Sequence, residues 1–296
     1  MPTEYQQVTT PDGRALEYLT AGPVDGRPLL FHVGTPNCAT AFSVVNRPAA
    51  ELGLRVICYS RPGYGESTAQ PGRSVADSVA DVQVLLDALG VGEFLTFGWS
   101  GGGPHALACA ALLPDRCQAA ATLGGVAPYA AAGLDFLAGM DEMNVQEFGA
   151  AVRGRAELEA FLNPLLPHFL DLTGESVVES MAGLLPPVDQ RALSGEFADE
   201  MATTFRRAMS HGAAGWRDDD LAFVADWAFR CEDISIPVAI WQGRQDRMVP
   251  YEHGRWLADR IPGARAHLYP DEGHVSLINQ AGLILADLSA LPAGPA

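Results

Sequence analysis

The sequence is short of basic residues. Its 296 residues include 19 Lys and Arg against 36 Asp and Glu, which gives a formal net charge of −17. A chain this acidic repels the phosphates of nucleic acids and the anionic headgroups of lipids. We therefore expect a small molecule as its partner, and neither nucleic acid nor a membrane surface.

Long hydrophobic runs and cysteine motifs are also missing. No stretch reaches the roughly eighteen apolar residues of a membrane span, and the N-terminal MPTEYQQVTT lacks the basic and apolar regions of a signal peptide. The sequence thus predicts a cytoplasmic protein. The five cysteines are odd in number and show no CxxC spacing, which argues against a zinc site or a disulfide framework. We expect them to be small buried side chains.

Hydrophobic residues are plentiful, at 48%, and their pattern alternates along the chain. YQQVTT and ALEYLTA flank PDG as a hairpin, and the later runs PLLFHV, LRVICYS, EFLTF, AAATLGG, IPVAIWQG and RAHLYP are separated by helical patterns. The clearest helix covers residues 74–90, with Ser74 as its cap and Gly90 at its end. Continuous apolar strands separated by helices predict an α/β fold, in which a mostly parallel sheet carries helices on both faces.

One segment breaks this alternation. Residues 126–231 contain no convincing strand and read as several short helices rich in Ala, Leu, Met and Phe. We interpret them as a cap, or lid, inserted over one edge of the sheet. The predicted organisation is therefore a core formed by residues 1–125 and 232–296, with the cap at 126–231.

A single serine stands in a cluster of glycines. Gly98, Ser100 and Gly102 form a G-x-S-x-G pattern directly between the apolar run EFLTF and a predicted helix that begins near Pro104. In that context the pattern is typical of a nucleophile elbow, a tight turn from strand to helix that exposes the serine. Only small residues fit at the two glycine positions, because strand and helix nearly touch there. The positive end of the helix dipole points toward Ser100, where it would stabilise an oxyanion.

A nucleophilic serine needs a base, and the base needs an acid that orients it. After a strand-to-helix elbow the acid comes next in the chain and the histidine last. Asp246 follows the run PVAIWQG, and His274 follows HLYP, so we predict them as acid and base.

Other carboxylates fit the acid's role less well. The run Asp218, Asp219 and Asp220 in the cap is more typical of a solvated face or a helix cap, and Asp271 and Glu272 are too near His274 in sequence.

An oxyanion hole beside a nucleophile elbow usually takes its second N–H donor from the loop after an early strand. In this sequence that loop is FHVGTPNC. We predict that the backbone N–H groups of Thr35 and Gly101 form the oxyanion hole. Gly34 would let the backbone approach the substrate, and Trp99 would lie beside the nucleophile.

The motifs HVGTP, SRPGYGES, GWSGGG, GRQDRMVP and EGHVSL occur in this order over most of the chain. With them the sequence resembles the α/β-hydrolase superfamily, in its lidded bacterial esterase and lactonase-like branch. The resemblance implies an eight-stranded sheet with a helical cap between strands six and seven, Ser100 as nucleophile, Asp246 as acid and His274 as base. The chain departs from the usual HG-x-P-G loop at Val33 and Asn37.

These residues predict acyl transfer from an ester or lactone through an acyl-enzyme, with no metal or organic cofactor. Three alternatives use the same fold: cleavage of a C–C bond in a diketone, perhydrolysis of a carboxylic acid, and a ligand sensor that does not catalyse. Enzymes with a carboxylate nucleophile are disfavoured because position 100 is Ser.

The cap carries more large apolar side chains than a solvated connector needs, and we expect a minority of them to face an apolar cleft above Ser100. The candidates are Phe136, Leu137, Met140, Met143, Phe148, Phe161, Leu165, Leu166, Phe169 and Met181. Together with the acidity of the chain, this cleft predicts neutral, moderately hydrophobic substrates.

Overall fold

The computed structural model describes residues 4–291, in which strands and helices alternate. The strands are β1 (Gln6–Thr9), β2 (Ala15–Ala21), β3 (Arg27–His32), β4 (Leu54–Tyr59), β5 (Phe94–Trp99), β6 (Cys117–Leu123), β7 (Val238–Gly243) and β8 (Arg265–Tyr269). The helices are α1 (Ser43–Glu51), α2 (Ser78–Ala88), α3 (Gly103–Leu112), α4 (Glu142–Arg153), α5 (Arg155–Leu162), α6 (Leu166–Leu170), α7 (Gly174–Met181), α8 (Pro187–Ala192), α9 (Gly195–Ala208), α10 (Ala214–Val224), α11 (Tyr251–Arg260) and α12 (Ala281–Ala290).

The eight strands form one sheet in the order β1-β2-β4-β3-β5-β6-β7-β8. All pairs from β4 to β8 are parallel, and only β2 pairs antiparallel with its neighbours, β1 and β4. The predicted α/β fold with a mostly parallel eight-stranded sheet is confirmed. In a parallel sheet the carboxyl ends of the strands share one edge, so the loops after β3, β5, β7 and β8 come together there.

Apolar residues fill both sides of the sheet, as the continuous apolar strands require. Along β3, Leu29 and Phe31 belong to one buried cluster and Leu30 to the other, because successive side chains of a strand point to opposite faces. Helices α1 and α12 cover the first face, and α2, α3 and α11 cover the second. All five cysteines are free and buried, as predicted.

Helix α2 begins later than the sequence predicts. Asp77 Oδ2 accepts hydrogen bonds from the backbone N–H of Ser74 at 2.7 Å and from its hydroxyl at 2.9 Å. These bonds close a separate turn, and the helix begins at Ser78. Gly90 follows the helix with φ of +66°, a conformation that glycine adopts without strain.

The long connection between β6 and β7 is helical, and within it the structure, which describes every residue there, has the seven helices α4 to α10 and no strand. These helices have a buried cluster of their own, to which Leu158, Leu162 and Trp216 belong. Cys38 and Tyr64, from loops after β3 and β4, join that cluster. The connection is therefore packed against the sheet's carboxyl edge, while its boundaries at 126 and 231 remain a prediction. None of the described helices is long and apolar enough to cross a membrane.

Candidate active site

Ser100 lies in the tight turn between β5 and α3, as the glycine pattern predicts. Its φ is +55°, a left-handed conformation that costs a non-glycine residue about 1–2 kcal/mol. The turn is held by close packing, since a Cβ on Gly98 would collide with the backbone of Gly102, and a Cβ on Gly102 would collide with the carbonyl oxygen of His32. Pro104 occupies the first turn of α3, where its missing N–H removes no helical bond. The serine is thus presented at the N-terminus of a helix whose first eight residues are buried.

His274 and Asp246 form a buried pair after β8 and β7. Nδ1 of His274 lies 2.7 Å from Oδ2 of Asp246. The other carboxylate oxygen of Asp246 accepts the backbone N–H groups of Met248 at 2.9 Å and Val249 at 2.8 Å. Gly124, directly after β6, leaves room for the pair, because a Cβ there would stand 2.9 Å from Nδ1 of His274.

Burial and the charge of the partner together determine the pKa of His274 and that of Asp246. Burial alone would lower the pKa of His274, but the charge of Asp246 and its hydrogen bond hold that pKa above the usual 6.5. Burial raises the pKa of the Asp246 carboxyl, while its hydrogen bonds to His274 and to the backbone favour the carboxylate. The pair is arranged to stabilise a protonated imidazole.

Ser100, His274 and Trp99 all line one cavity of about 220 Å³. The ring of Trp99 lies 5.8 Å from that of His274, centroid to centroid. Among the hydrogen bonds of residues 4–291, none joins the Ser100 hydroxyl to His274. Catalytic hydrogen bonds are commonly long in the absence of substrate and tighten when it binds.

The turn after β3, residues 33–37, carries the predicted donor Thr35 and is named the oxyanion loop after that predicted role. Gly34, Thr35 and Gly101 line the same cavity as Ser100. A Cβ on Gly34 would stand 3.2 Å from Cβ of Ser100, and one on Gly101 would stand 3.1 Å from the backbone nitrogen of Thr35. A Cβ on Gly101 would collide with the side chain of Thr35, and one on Gly34 would crowd Ser100, so both glycines help the loop to approach the serine this closely.

Apolar side chains line most of the cavity. Five of the ten predicted cap residues contribute to it, namely Met143, Phe148, Leu165, Phe169 and Met181. The other five face elsewhere; Phe136, for example, packs on His253 of α11 with ring centroids 4.8 Å apart. Further apolar lining comes from α9 and α10, where the sequence interpretation named no pocket residue: Phe197, Met201, Phe205, Trp216 and Phe223.

Three carboxyl groups form a polar patch in this apolar wall: Asp141, Glu147 and Asp220. Glu147 accepts the indole N–H of Trp216 at 2.6 Å, and Asp220 is buried near it. Burial raises the pKa of all three carboxyl groups, and that of Asp220 most strongly. Burial thus favours the protonated, neutral form of these carboxyls.

The interpretation of Asp218, Asp219 and Asp220 as a solvated face or cap is wrong, because all three are buried in α10. Asp219 is paired with Arg61 and Arg73, and Asp218 with Arg217. Buried carboxylates need such partners, and the partners of Asp219 stand far away in the sequence. Asp271 and Glu272 make no hydrogen bond to the His274 side chain in the part of the chain that is described.

Sequence reasoning also missed Asp189 of α8. Its carboxylate accepts the backbone N–H groups of His274, Val275 and Ser276. No local pattern marks this residue, since its partners are main-chain groups. Across residues 4–291, no cluster of three or more His, Cys, Asp or Glu is suited to hold a metal ion.

Comparison with known proteins gives the same fold. Residues 27–281 match the family described as alpha/beta hydrolase fold. A bifunctional esterase/perhydrolase of Acinetobacter calcoaceticus is 26% identical over 295 residues, which cover 96% of this chain and 98% of that protein. A non-heme chloroperoxidase of Streptomyces lividans is 28% identical over 289 residues, covering 96% and 98%. The crystal structure of a bromoperoxidase from Bacillus anthracis aligns with a TM-score of 0.70 at 21% identity, covering 97% and 99%.

The raised pKa of His274 predicts the pH dependence of any reaction that uses it as a base. Because the base must be neutral, kcat/KM is expected to rise with pH through a midpoint above 6.5 and then level off. Asp246→Asn removes the charge that favours the imidazolium, so its residual activity should show a midpoint at lower pH. The midpoint is measured from rates in stopped assays across a series of buffers, and circular dichroism checks the fold at each pH. A wild-type midpoint below 6.5 would contradict it.

Proposed function

Because the chain belongs to the α/β-hydrolase fold family, we propose that it is a serine hydrolase that cleaves neutral, moderately hydrophobic carboxylic esters or lactones. The observation that carries the proposal is the 2.7 Å contact between His274 and Asp246 at the cavity that also holds Ser100. The names of the curated relatives, which include an esterase/perhydrolase, support a hydrolase in general.

The reaction follows from the roles these groups can take. His274 removes the proton of Ser100, whose oxygen attacks the substrate carbonyl, while Asp246 stabilises the imidazolium that forms. The N–H groups of Thr35 and Gly101 donate to the oxyanion. His274 then protonates the leaving alcohol, and a water molecule, deprotonated by the same histidine, releases the acid from the acyl-enzyme.

The lining of the cavity supports the substrate class. Its apolar side chains bind by burying apolar surface, at roughly 25 cal/mol per Å². An anionic acyl group would have to bury its charge among these apolar side chains, and would approach against the formal net charge of −17. Neutral esters avoid both costs.

The proposed roles predict the effect of removing each group. Ser100→Ala should abolish turnover of p-nitrophenyl butyrate, and a fluorophosphonate should label Ser100 alone in the wild-type protein, as located by mass spectrometry. Asp246→Asn should lower kcat by about 10⁴, because the carboxylate sets the tautomer of the base.

The matched control for these variants is Ser210→Ala, at an exposed position after α9, which should keep wild-type rates. Steady turnover by the wild type also separates an enzyme from a ligand sensor. If Asp246→Asn keeps near-native activity, another residue must be the acid that orients His274.

The apolar cavity predicts a preference for longer acyl chains. From p-nitrophenyl acetate to the hexanoate, kcat/KM should rise, with each buried CH₂ contributing up to about 0.8 kcal/mol. An acyl-CoA with the same acyl group should be a poorer substrate than its neutral ester. A preference for acetate over hexanoate, or for the acyl-CoA, would overturn this view of the cavity.

Perhydrolysis is the second candidate, and the relative named as esterase/perhydrolase over 96% of this chain favours it. In that reaction hydrogen peroxide replaces water as the acceptor of the acyl group and yields a peracid. If this activity is present, adding hydrogen peroxide to the enzyme with a carboxylic acid should form peracid, and Ser100→Ala should not. If no peracid forms while esters are hydrolysed normally, perhydrolysis is refuted and ester hydrolysis stands as the proposed activity.

A further inference from the structure

Two buried carboxylates of the helical connection between β6 and β7 reach the two loops that flank Ser100. We propose that Asp189 and Asp219 are positioning residues: Asp189 fixes the turn that carries His274, and Asp219 fixes the oxyanion loop. The inference rests on the proposed function for its catalytic consequences. Its structural part, the anchoring of the two loops, does not depend on it.

Asp189 binds the turn of residues 273–276, called here the base loop. Its Oδ2 accepts the N–H of His274 at 2.8 Å, and its Oδ1 accepts those of Val275 at 2.9 Å and Ser276 at 2.8 Å. The carboxylate is fully buried, and Gly273 lies so close that a Cβ there would collide with it. Three consecutive N–H groups are thus satisfied by one side chain from another part of the chain.

Only a carboxylate suits this position. An amide has a single oxygen that accepts hydrogen bonds, so Asn could not accept from all three N–H groups with the same geometry. Without these bonds, the buried N–H groups would be left unpaired or the base loop would move. The imidazole of His274 is attached to this loop and would move with it.

Asp189 also acts on His274 through its charge. The described groups whose charges raise the pKa of His274 are Asp246, in direct contact, and Asp189, bound to the backbone of the same residue. Of the neighbouring acidic residues, Asp271 is exposed to solvent and Glu272 is half-buried. Asp189 should therefore affect both the place and the titration of the base.

Asp219 binds the other loop. Its Oδ2 accepts the hydroxyl of Thr35 at 2.7 Å, that of Tyr64 at 2.9 Å, and Nη2 of Arg61 at 2.6 Å. Its Oδ1 accepts Nη2 of Arg73 at 2.7 Å. Although burial opposes ionisation, Arg61 and Arg73 hold the pKa of Asp219 well below its usual range.

Arg61 extends this anchor along the backbone. Its Nη1 donates to the carbonyl of Val33 at 2.6 Å, and its Nη2 donates to that of Gly34 at 3.1 Å. The oxyanion loop is therefore held at two successive carbonyls by Arg61 and at the next side chain by Asp219. With the carbonyls fixed, the peptide N–H of Thr35 has a fixed direction, which an oxyanion donor requires.

The test for Asp189 combines kinetics with amide hydrogen exchange. In Asp189→Asn, exchange at His274, Val275 and Ser276 should accelerate, kcat should fall on the order of 10²-fold, as for a misplaced catalytic group, and the acid midpoint of kcat/KM should move to lower pH. Asp189→Glu keeps the charge but moves the carboxylate, so it should lower kcat and leave the midpoint in place. This split distinguishes positioning of the base from a loss of stability, which would not move the midpoint.

The test for Asp219 has a different expected signature. Asp219→Asn should accelerate exchange in the oxyanion loop and lower kcat, and should weaken binding of a trifluoromethyl ketone, which forms an oxyanion with the serine, by the same factor. KM and the acid midpoint should stay unchanged. Thr35→Val removes the hydroxyl contact while leaving the pairs of Asp219 with Arg61 and Arg73, so it should show the same signature if Asp219→Asn does not fold.

The controls are Asp218→Asn and Asp81→Asn, which remove buried carboxylates paired with arginines that do not contact either loop. Both should keep kcat and the exchange rates of the two loops. Unchanged loop exchange or unchanged kcat in the Asp189 and Asp219 variants would overturn the proposal. A wild-type protein without esterase activity or phosphonate labelling would instead refute the proposed function, while the exchange measurements still decide whether the loops are anchored.

Discussion

The site depends on one steric constraint, the near contact of β5 and α3 at the turn that carries Ser100. Gly98 and Gly102 let the two elements meet, and the serine between them takes a φ of +55°. Such strain persists only where the surroundings over-determine the backbone. Here they do, because β5 lies at the centre of the sheet between β3 and β6, and most of α3 is buried. The serine has a fixed place, and the loops after β3, β7 and β8 are arranged around it.

Three buried carboxylates lie in or contact the loops around the serine. Asp189, Asp219 and Asp246 are all buried, and each is surrounded by donors: backbone N–H groups, arginines or the imidazole. Burying a carboxylate is costly unless such partners compensate it, and removing one partner of a buried pair typically costs about 3–5 kcal/mol. Two of the three carboxylates come from the helical connection between β6 and β7. That connection is therefore bound to the loops after β3 and β8 by polar contacts, in addition to its apolar packing.

The sequence predicts those parts of the molecule whose causes are local. The parallel sheet follows from continuous apolar runs, and the elbow follows from Gly98, Ser100 and Gly102 between a strand and a helix. The start of α2 was predicted four residues too early, because the side chain of Asp77 turns back to Ser74 instead of continuing a helix. The burial of Asp219 could not be predicted, since its partner Arg61 is 158 residues away. Asp189 left no signal at all, because it binds backbone groups that every sequence provides.

The apolar lining of the cavity has a further consequence under the proposed reaction, and it concerns the product. Hydrolysis turns a neutral ester into an acid that ionises at neutral pH, within a cavity of about 220 Å³. The substrate enters without charge, whereas the ionised product would bury its charge among mostly apolar side chains, which is costly. The cavity thus binds the ester more tightly than the ionised acid, which limits inhibition by accumulated product.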